Sequence, residues 1–267
     1  MRYRRAILQP RRVFPAPLGG AMTSAWASAR VLVVGVGGLG CPAAIALARA
    51  GVGALGIADD DEVDISNLHR QVLFEDDDVG RSKVRAAATR LRELVPSAEL
   101  ELHETRLLPT NAVELVARYD LVVEGSDNFA TKFLAADACA IAKRPIVHAA
   151  AIRWHGTALA VGPSGGPCYR CLFEDVPLEN VPNCAEAGVV GPMVGLVGAA
   201  QADLALSVLA GEDVFGELFT FDGKSLVSRR RRVTRRADCS LCGDAAHIQD
   251  IEPRRYVEGV CLSQRST

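Results

Sequence analysis

The sequence predicts an α/β fold of the Rossmann-like, nucleotide-binding type, and three observations support this prediction. A short apolar run, 31–34, ends at a glycine-rich loop, and a segment rich in helix formers follows it. A second apolar run, 54–58, ends in acidic residues about 20 residues after the glycines, where an acid can accept ribose hydroxyls. Aromatic residues make up only 5% of the chain and Gly and Ala are plentiful, which is more typical of alternating strands and helices than of a β-sandwich.

The first strand, loop and helix are predicted with defined ends. Pro42 lies in the first turn of a predicted helix over 42–50, where its missing N–H is not needed, and Gly51 is a natural stop for that helix. This order places backbone N–H groups and the positive end of a helix where a phosphate can bind. The candidate nucleotide-binding glycines are Gly35, Gly37, Gly38 and Gly40.

The rest of the chain continues this organisation without internal repeats. The predicted elements are an amphipathic helix over 80–95, strands over 100–103, 121–124 and 145–152, and a small-residue-rich helix over 191–211. Asp127 follows one of these strands, at the carboxyl end where open sheets hold ligands. Gly195 and Gly198 in the last helix indicate either tight helix packing or a contact in a dimer.

Four polar residues add phosphate chemistry that a dehydrogenase does not need. Asn67, Arg70 and Gln71 lie in one short segment, and Lys83 lies in the first turn of the next predicted helix. Cations beside a glycine loop can neutralise phosphate charge, and short amides can orient phosphate oxygens. The set therefore favours ATP cleavage, although Arg70 and Lys83 could also be solvated surface cations. An NAD-dependent oxidoreductase explains the loop but not Arg70, Lys83 and Asp127 together.

Two C-x-x-C pairs indicate a metal site. Because each pair can place two thiolates on one ion, two pairs complete a tetrahedral site with four sulfur ligands, typical of structural zinc. The predicted ligands are Cys168, Cys171, Cys239 and Cys242. Such a site would clamp the end of the chain to its middle and make metal binding part of folding. A redox role for either pair is the alternative.

The composition of the chain narrows the classes of protein to which it can belong. The chain has 267 residues, of which 49% are hydrophobic and 23% charged, as in an ordinary globular protein. A net charge of -2 argues against general nucleic-acid binding. We expect no membrane span, because no apolar run reaches about 18 residues. No apolar signal core follows the basic N-terminus, so we expect a cytoplasmic protein.

The sequence resembles the MoeB/ThiF/HesA family of ubiquitin-activating-type adenylyltransferases. The matching segments run in order along nearly the whole chain: Arg2 to Arg5, Gly35 to Gly40, Asp59 to Asp61, Ser66 to Gln71, Gly80 to Lys83, Ser126 to Phe129, Ala151 to Arg153, both cysteine pairs, and Cys184 to Val189. The resemblance implies a Rossmann-like ATP-binding fold whose mostly parallel sheet is extended by antiparallel strands. It also implies an arm (1–30), an adenylation domain (31–243) and a tail (244–267). The adenylation domain would comprise a nucleotide-binding half over about 31–150 and a carrier-binding and zinc half over about 151–243.

In function, the resemblance implies a homodimer that uses MgATP to adenylylate a carrier protein. The carrier would be a small ubiquitin-like sulfur carrier of the MoaD/ThiS type ending in Gly-Gly, and the products would be its acyl-adenylate and pyrophosphate. Because the sequence continues only briefly past Gly243, we expect a separate sulfurtransferase or cysteine desulfurase to deliver sulfur. Alternatives are an adenylating tRNA-base dehydratase, which would normally carry more positive charge, and a non-catalytic dimeric binding protein.

Each candidate residue has a chemical role in that reaction. Asp59 would hold the ribose hydroxyls, and Arg70 and Lys83 would neutralise phosphate charge. Asp127 would bind Mg2+, which prefers carboxylate and phosphate oxygens, although it could instead cap the helix that follows. Asp61 could share ribose or Mg2+ contacts.

Two further candidate site residues, Arg5 and Cys184, come from the family resemblance. By resemblance, Arg5 would reach across the dimer to the γ-phosphate as an arginine finger, but a start at Met22 would remove it. Cys184 matches a cysteine that some relatives use for covalent sulfur chemistry, whereas others stop at the adenylate. The arginine-rich run 229–236 is either a solvated face or a surface that steers an acidic carrier.

Overall fold

The computed structural model describes residues 26–163, 166–176 and 188–257. Its strands are β1 (Arg30–Val34), β2 (Ala54–Ala58), β3 (Leu100–His103), β4 (Leu121–Glu124), β5 (Ile146–Ile152), β6 (His155–Val161), β7 (Glu217–Asp222) and β8 (Val227–Arg232). They form one sheet in the order β3-β2-β1-β4-β5-β6-β7-β8. Pairing is parallel from β3 to β5 and antiparallel from β5 to β8. The predicted α/β fold, with a mostly parallel sheet extended by antiparallel strands, is confirmed.

Helices cover both faces of the parallel part. They are α1 (Gly40–Ala50), α2 (Lys83–Leu94), α3 (Ala112–Ala117), α4 (Phe129–Ile141), α5 (Tyr169–Leu172) and α6 (Gly191–Leu209). Alternate residues of β1 enter different cores: Val31 and Val33 pack with residues of α1, α2 and α6, whereas Leu32 and Val34 pack with residues of α3 and α4. Because a strand points successive side chains to opposite faces, the continuous apolar run of β1 is explained by this double burial.

Most local predictions agree with these bounds, and the differences have simple causes. The strands over 54–58, 100–103 and 121–124 are confirmed. Helix α2 begins at Lys83 rather than at residue 80, because the Ser82 side chain accepts a hydrogen bond from the Arg85 N–H (3.4 Å) and ends the preceding loop. Lys83 is thus the first residue of the helix, which fixes its backbone beside the loop over 59–61.

The arginine-rich run forms a strand. Its first four arginines belong to β8, the edge of the sheet, and every residue of that strand is exposed. Residues 151–243 therefore contribute β6, β7 and β8 to the same sheet as the strands of residues 31–150.

Helix α6 is the one described helix that is long and apolar enough to cross a membrane by length and composition, with a mean hydropathy of 1.5. The expectation that no apolar stretch reaches such a length is wrong for this helix. The contacts of α6 are those of a core helix: buried Gln201 donates through Nε2 to the carbonyls of Glu124 and Val147, at 2.8 Å each. Met193 and Val197 belong to the same core.

The two glycines of α6 differ in their surroundings. A Cβ at Gly198 would overlap the Leu39 carbonyl oxygen and the Pro42 ring, so Gly198 allows α6 to approach α1 closely. A Cβ at Gly195 would meet no atom within 4 Å. The packing interpretation is confirmed for Gly198, and a dimer contact stays a prediction.

A buried ion pair joins α4 to the first cysteine pair and to the segment before the C-terminus. Arg170 donates through Nε and Nη2 to both carboxylate oxygens of Asp137, at 2.9 Å each, and the two side chains are 2% and 0% exposed. The Tyr256 hydroxyl also donates to Asp137 (2.9 Å). Burial opposes the charge of Arg170, but its hydrogen bonds to Asp137 outweigh this and raise the pKa of Arg170.

Replacing Asp137 with alanine should destabilise the protein by about 3–5 kcal/mol, because Arg170 then remains as a buried charge without its main partner. Chemical denaturation measures this loss. Glu104→Ala is the matched control, since it breaks the exposed pair between Arg85 and Glu104 (2.7 Å), which water and salt screen, and it should change stability far less. Equal losses of unfolding free energy in the two variants would contradict the conclusion that Asp137 compensates a buried charge on Arg170.

Candidate active site

The largest cluster of predicted site residues surrounds a cleft at the carboxyl ends of β1 and β4. Strand order reverses there, because β2 and β3 lie on one side of β1 whereas β4 and β5 lie on the other. Open α/β sheets bind ligands at such a switch point. The cleft has a volume of about 820 Å³ and is lined by Gly35, Gly37, Gly38, Asp59, Asp60, Asp61, Arg70, Gln71, Lys83, Arg106, Ser126, Asp127 and Asn128, among others.

The glycine loop forms the floor of this cleft. Gly35 has a φ of +83°, and a Cβ there would lie 3.2 Å from the Ser126 nitrogen. A Cβ at Gly40 would overlap the carbonyl oxygen of Gly35, so Gly40 closes the turn but does not itself line the cleft. The loop therefore brings bare backbone to the cleft at the start of α1, as phosphate binding requires.

Asp59 ties the loop to the end of β2. Its Oδ2 accepts from the Val36 N–H and its Oδ1 from the Asp61 N–H, both at 2.9 Å. Burial raises the pKa of Asp59, although Lys83 opposes this shift. Because each carboxylate oxygen has a second lone pair, Asp59 can still accept ribose hydroxyls.

Cations form one wall of the cleft. The Lys83 side chain is only 7% exposed, and its Nζ pairs with the more exposed Asp61 (2.8 Å). Arg106 pairs with Asp60 at 3.1 Å and lines the same cleft. Arg106 was not among the predicted residues, because its place just after β3 indicates the cleft only once β3 is known to pair with β2.

Gln71 and Asn67 act as a pair. Gln71 is 4% exposed, and its Nε2 donates to Asn67 Oδ1 at 2.8 Å. Gln71 Oε1 is buried and has no hydrogen-bond partner among the described residues. Such an atom at a cleft wall is expected where a ligand supplies the missing partner. Asn67 is not among the lining residues, so its visible effect is to orient Gln71.

Asp127 does not cap the helix that follows it. Asn128 is the N-cap of α4, and its Oδ1 accepts from the Thr131 N–H (2.8 Å). The capping alternative for Asp127 is therefore wrong. Asp127 is exposed and lines the cleft, as a residue that contacts a ligand or a metal must. Arg70 also lines the cleft, and its Nη1 donates to the Ser66 carbonyl (3.0 Å).

A second, mostly apolar pocket of about 760 Å³ opens beside the cleft and shares Asp127 and Ala151 with it. Its apolar lining includes Phe129, Ile152, Leu159, Tyr169, Leu172, Phe173 and Leu218. His148 also lines this pocket, and its buried Nε2 has no hydrogen-bond partner within the part of the chain that the structure describes. This apolar pocket thus borders Asp127 at the edge of the cleft.

The four predicted metal ligands come together away from the cleft. The sulfur atoms of Cys168, Cys171, Cys239 and Cys242 all lie within 4.8 Å of one another. The nearest pairs are Cys171 with Cys242 at 3.3 Å and Cys168 with Cys239 at 3.5 Å. The Arg236 N–H points to Cys171 Sγ (3.5 Å). Four converging sulfurs form the donor set of a tetrahedral metal site. Arg5 and Cys184 lie outside the described residues.

The sequence model of the ThiF family matches residues 11–241, which include the cleft and all but one of the clustered cysteines. The chain belongs to the ThiF family. The family resemblance drawn from the motifs is therefore confirmed.

The ThiF family relatives include proteins named adenylyltransferase and sulfurtransferase MOCS3. The chain is 43% identical to the one from Culex quinquefasciatus over 220 residues, covering 81% of this chain and 50% of that protein. It is 44% identical to the one from Sus scrofa over 241 residues, covering 89% and 52%. The chain thus spans about half the length of the curated relatives it matches. Among solved structures, E. coli MccB with ATP matches with a TM-score of 0.73 and 21% identity, covering 83% of this chain and 69% of that one, which supports the fold.

Proposed function

We propose that the protein adenylylates the C-terminal carboxylate of a small ubiquitin-like sulfur carrier ending in Gly-Gly. One observation carries this proposal: a cleft with phosphate-binding features meets an apolar pocket at Asp127. A nucleotide in the cleft and a peptide in the pocket would place an α-phosphate and a terminal carboxylate side by side. The names of the relatives, which include adenylyltransferase, agree with this reaction.

The reaction forms one bond to the α-phosphorus and breaks another. A carboxylate oxygen of the carrier would attack that phosphorus while the bond to the oxygen that bridges the α- and β-phosphates breaks, so pyrophosphate leaves. Lys83 and Arg70, which line the cleft, would neutralise phosphate charge as it develops. Bound Mg2+, held by Asp127 with a contribution from Asp61, would supply further charge neutralisation.

The apolar pocket suits the end of an extended carrier tail. Glycines have no side chains, so a Gly-Gly terminus can pass the junction near Ala151 while preceding apolar residues contact Phe173 and Leu218. His148 Nε2 could accept a backbone N–H of the tail, since burial lowers the pKa of His148 and keeps the ring neutral. This arrangement favours an extended peptide over a folded nucleic acid.

Two parts of the proposal concern metal and assembly. The four-cysteine cluster would hold a structural Zn2+, because its closed sulfur shell leaves no position for substrate. The protein would act as a homodimer in which Arg5 reaches the neighbouring site, and Cys184 would provide a thiol close in sequence to Val189, which lines the cleft.

ATP–pyrophosphate exchange tests the function directly. The chain should exchange labelled pyrophosphate into ATP only when Mg2+ and a Gly-Gly carrier are present. The control carrier has one residue added after the Gly-Gly, which moves the carboxylate beyond the junction. Exchange that is absent with every Gly-Gly carrier, under conditions where ATP binds, would refute the proposal.

Binding of the carrier should also depend on two arginines of β8, Arg229 and Arg231. Arg230 pairs with Glu217 and Asp203, and Arg232 with Asp213. Arg229 and Arg231 have no ion pair among the described residues, and Arg231 is opposite Leu218, a pocket residue, in the β7–β8 register. Cross-strand partners share a face of the sheet. These two charges are therefore available to an acidic partner that enters the pocket.

Replacing Arg229 and Arg231 with glutamine should raise the carrier KM roughly fivefold at low salt and leave kcat unchanged, with the difference shrinking as salt screens the charges. Initial rates at several salt concentrations measure this effect. The matched control replaces Arg230 and Arg232, whose charges are already neutralised. Equal KM changes in both double variants would contradict this use of the surface.

A further inference from the structure

A buried carboxylate lies directly beneath the loop that carries Asp127. Glu124 ends β4 and is 0% exposed, and its carboxylate contacts hydrogen-bond donors of Ser126, Lys132 and His148. Its Oε1 accepts from the Ser126 N–H (2.7 Å) and from the Ser126 hydroxyl. Its Oε2 accepts from Lys132 Nζ (2.9 Å) and lies 3.1 Å from His148 Nδ1, which carries the proton in this contact. One oxygen therefore holds the loop and the other holds α4 and β5.

The surroundings keep Glu124 ionised. Burial alone would raise the pKa of Glu124, but Lys132 and His148 outweigh it and lower the pKa to about 2. Lys132 is itself buried and also donates to the carbonyl of Ala149 in β5 (2.6 Å). The pair thus links the end of β4 and the middle of β5 to the first turn of α4. Buried ion pairs contribute little net stability but demand one geometry.

That geometry fixes the backbone on both sides of Asp127. Ser126 is held by Glu124, and Asn128 is held as the cap of α4. The Gly125 N–H also donates to the Val34 carbonyl (2.9 Å), which joins the loop to β1. Within the described residues, the Asp127 carboxylate itself has no hydrogen bond or ion pair. Its direction is therefore set by the backbone and not by side-chain partners.

We propose that Glu124 and Lys132 are positioning residues that aim Asp127 at the metal of the bound nucleotide. Glu124 holds Ser126 and thereby the backbone of Asp127, while Lys132 supplies the charge that lets a carboxylate remain ionised at that depth. This inference rests on the proposed function, in which Asp127 binds the metal. Glu124 and Lys132 would act through the position of Asp127 and not by contact with the substrate.

The test separates positioning from stability. The double variant Glu124→Gln/Lys132→Met removes both charges and keeps similar volumes, and such replacements are often tolerated or stabilising. The amide oxygen that Glu124→Gln introduces is a neutral acceptor, so it would hold the Ser126 N–H and hydroxyl less strongly than the carboxylate does. Thermal unfolding reports stability, and Mn2+ titration of the complex with a non-hydrolysable ATP analogue, followed by electron paramagnetic resonance, reports metal affinity.

We expect the double variant to keep its Tm within about 4 °C and to bind Mn2+ at least about tenfold more weakly in that complex, while metal-free affinity for the analogue changes less than about twofold. Unchanged Mn2+ affinity would overturn the inference, and so would a parallel loss of metal and nucleotide affinity. If the double variant does not fold, Glu124→Asp decides, because it keeps the charge and shortens the reach to Ser126. It should show the same selective loss, and unchanged Mn2+ affinity in Glu124→Asp would overturn the inference.

Asp127→Asn distinguishes failure of the inference from failure of the proposed function. If Asp127→Asn binds Mn2+ normally, the metal role of Asp127 fails, and the inference fails with it. If Asp127→Asn weakens Mn2+ binding while the variants of Glu124 and Lys132 do not, the inference alone fails and the proposed function stands.

Discussion

Replacing Lys83 with alanine is expected to lower carrier-dependent ATP–pyrophosphate exchange by about 100- to 1,000-fold. Lys83 is almost fully enclosed, and its ammonium group lies at the cleft wall beside Asp61. A cation held there in a partly water-excluded site acts more strongly on phosphate charge than a solvated one. The loss should fall mainly on kcat, because the charge on the phosphates grows as the bond to pyrophosphate breaks.

The fold should tolerate this change. The partner Asp61 is 54% exposed, so water can solvate its carboxylate once the ammonium is removed, and Asp59 keeps its hydrogen bonds from the Val36 and Asp61 N–H groups. Lys224→Ala is the matched control, since Lys224 is an exposed turn residue outside the cleft. Its exchange rate should equal that of the parent. A Lys83→Ala protein that folds normally and keeps exchange within tenfold of the parent would show that phosphate charge is neutralised elsewhere, for example by Arg70 or Arg106.

Removing the metal from the four-cysteine cluster should have the largest effect on stability. Two cysteines come from the segment before α5 and within it, and two from the segment after β8, so the ion would close a long loop. Structural zinc binding in small domains contributes about 10–16 kcal/mol, part of which appears as folding free energy. Chelation or Cys239→Ser should therefore lower Tm by on the order of 10 °C or more.

Metal analysis and calorimetry check this prediction together. The untreated protein should contain one zinc per chain, and the chelated protein should regain its Tm when zinc is returned. Ser240→Ala is the matched control, because Ser240 lies between two ligands but contributes no sulfur. Its zinc content and Tm should match those of the parent. Zinc-free protein with an unchanged Tm would remove the structural role of the cluster.

The first nucleotide-binding unit could be predicted closely because its signals are local. An apolar strand, a glycine that needs a positive φ, a proline in a first turn and a glycine stop each act within a few residues. The bounds of β2 and the end of α1 at Ala50 agree with those signals. The cysteine cluster could be predicted for a different reason, since the ligand spacing of a C-x-x-C pair is itself a geometric constraint.

Features that depend on contacts between distant segments were not predictable in the same way. Arg106 reaches the cleft only because β3 pairs with β2, and a lone arginine after a short strand gives no local signal. In the sequence, Glu124 is only the polar last residue of a predicted strand. Its contacts with Lys132 and His148 appear only in the folded structure. The six arginines over 229–236 look alike in sequence, yet the strand register pairs Arg230 and Arg232 with acids on one face. Arg229 and Arg231, which alternate with them along β8, lie on the other face of the sheet.

Adenylylation of the carrier is tested most directly by the intact mass of a Gly-Gly carrier after incubation with the protein, ATP and Mg2+. We expect the carrier to gain one AMP at its terminal carboxylate, with one pyrophosphate released for each AMP added. The product should disappear with Lys83→Ala and with a carrier whose Gly-Gly is followed by another residue. A carrier that remains unmodified while the protein binds ATP, or that gains AMP at a site other than its C-terminus, would contradict adenylylation of that carboxylate.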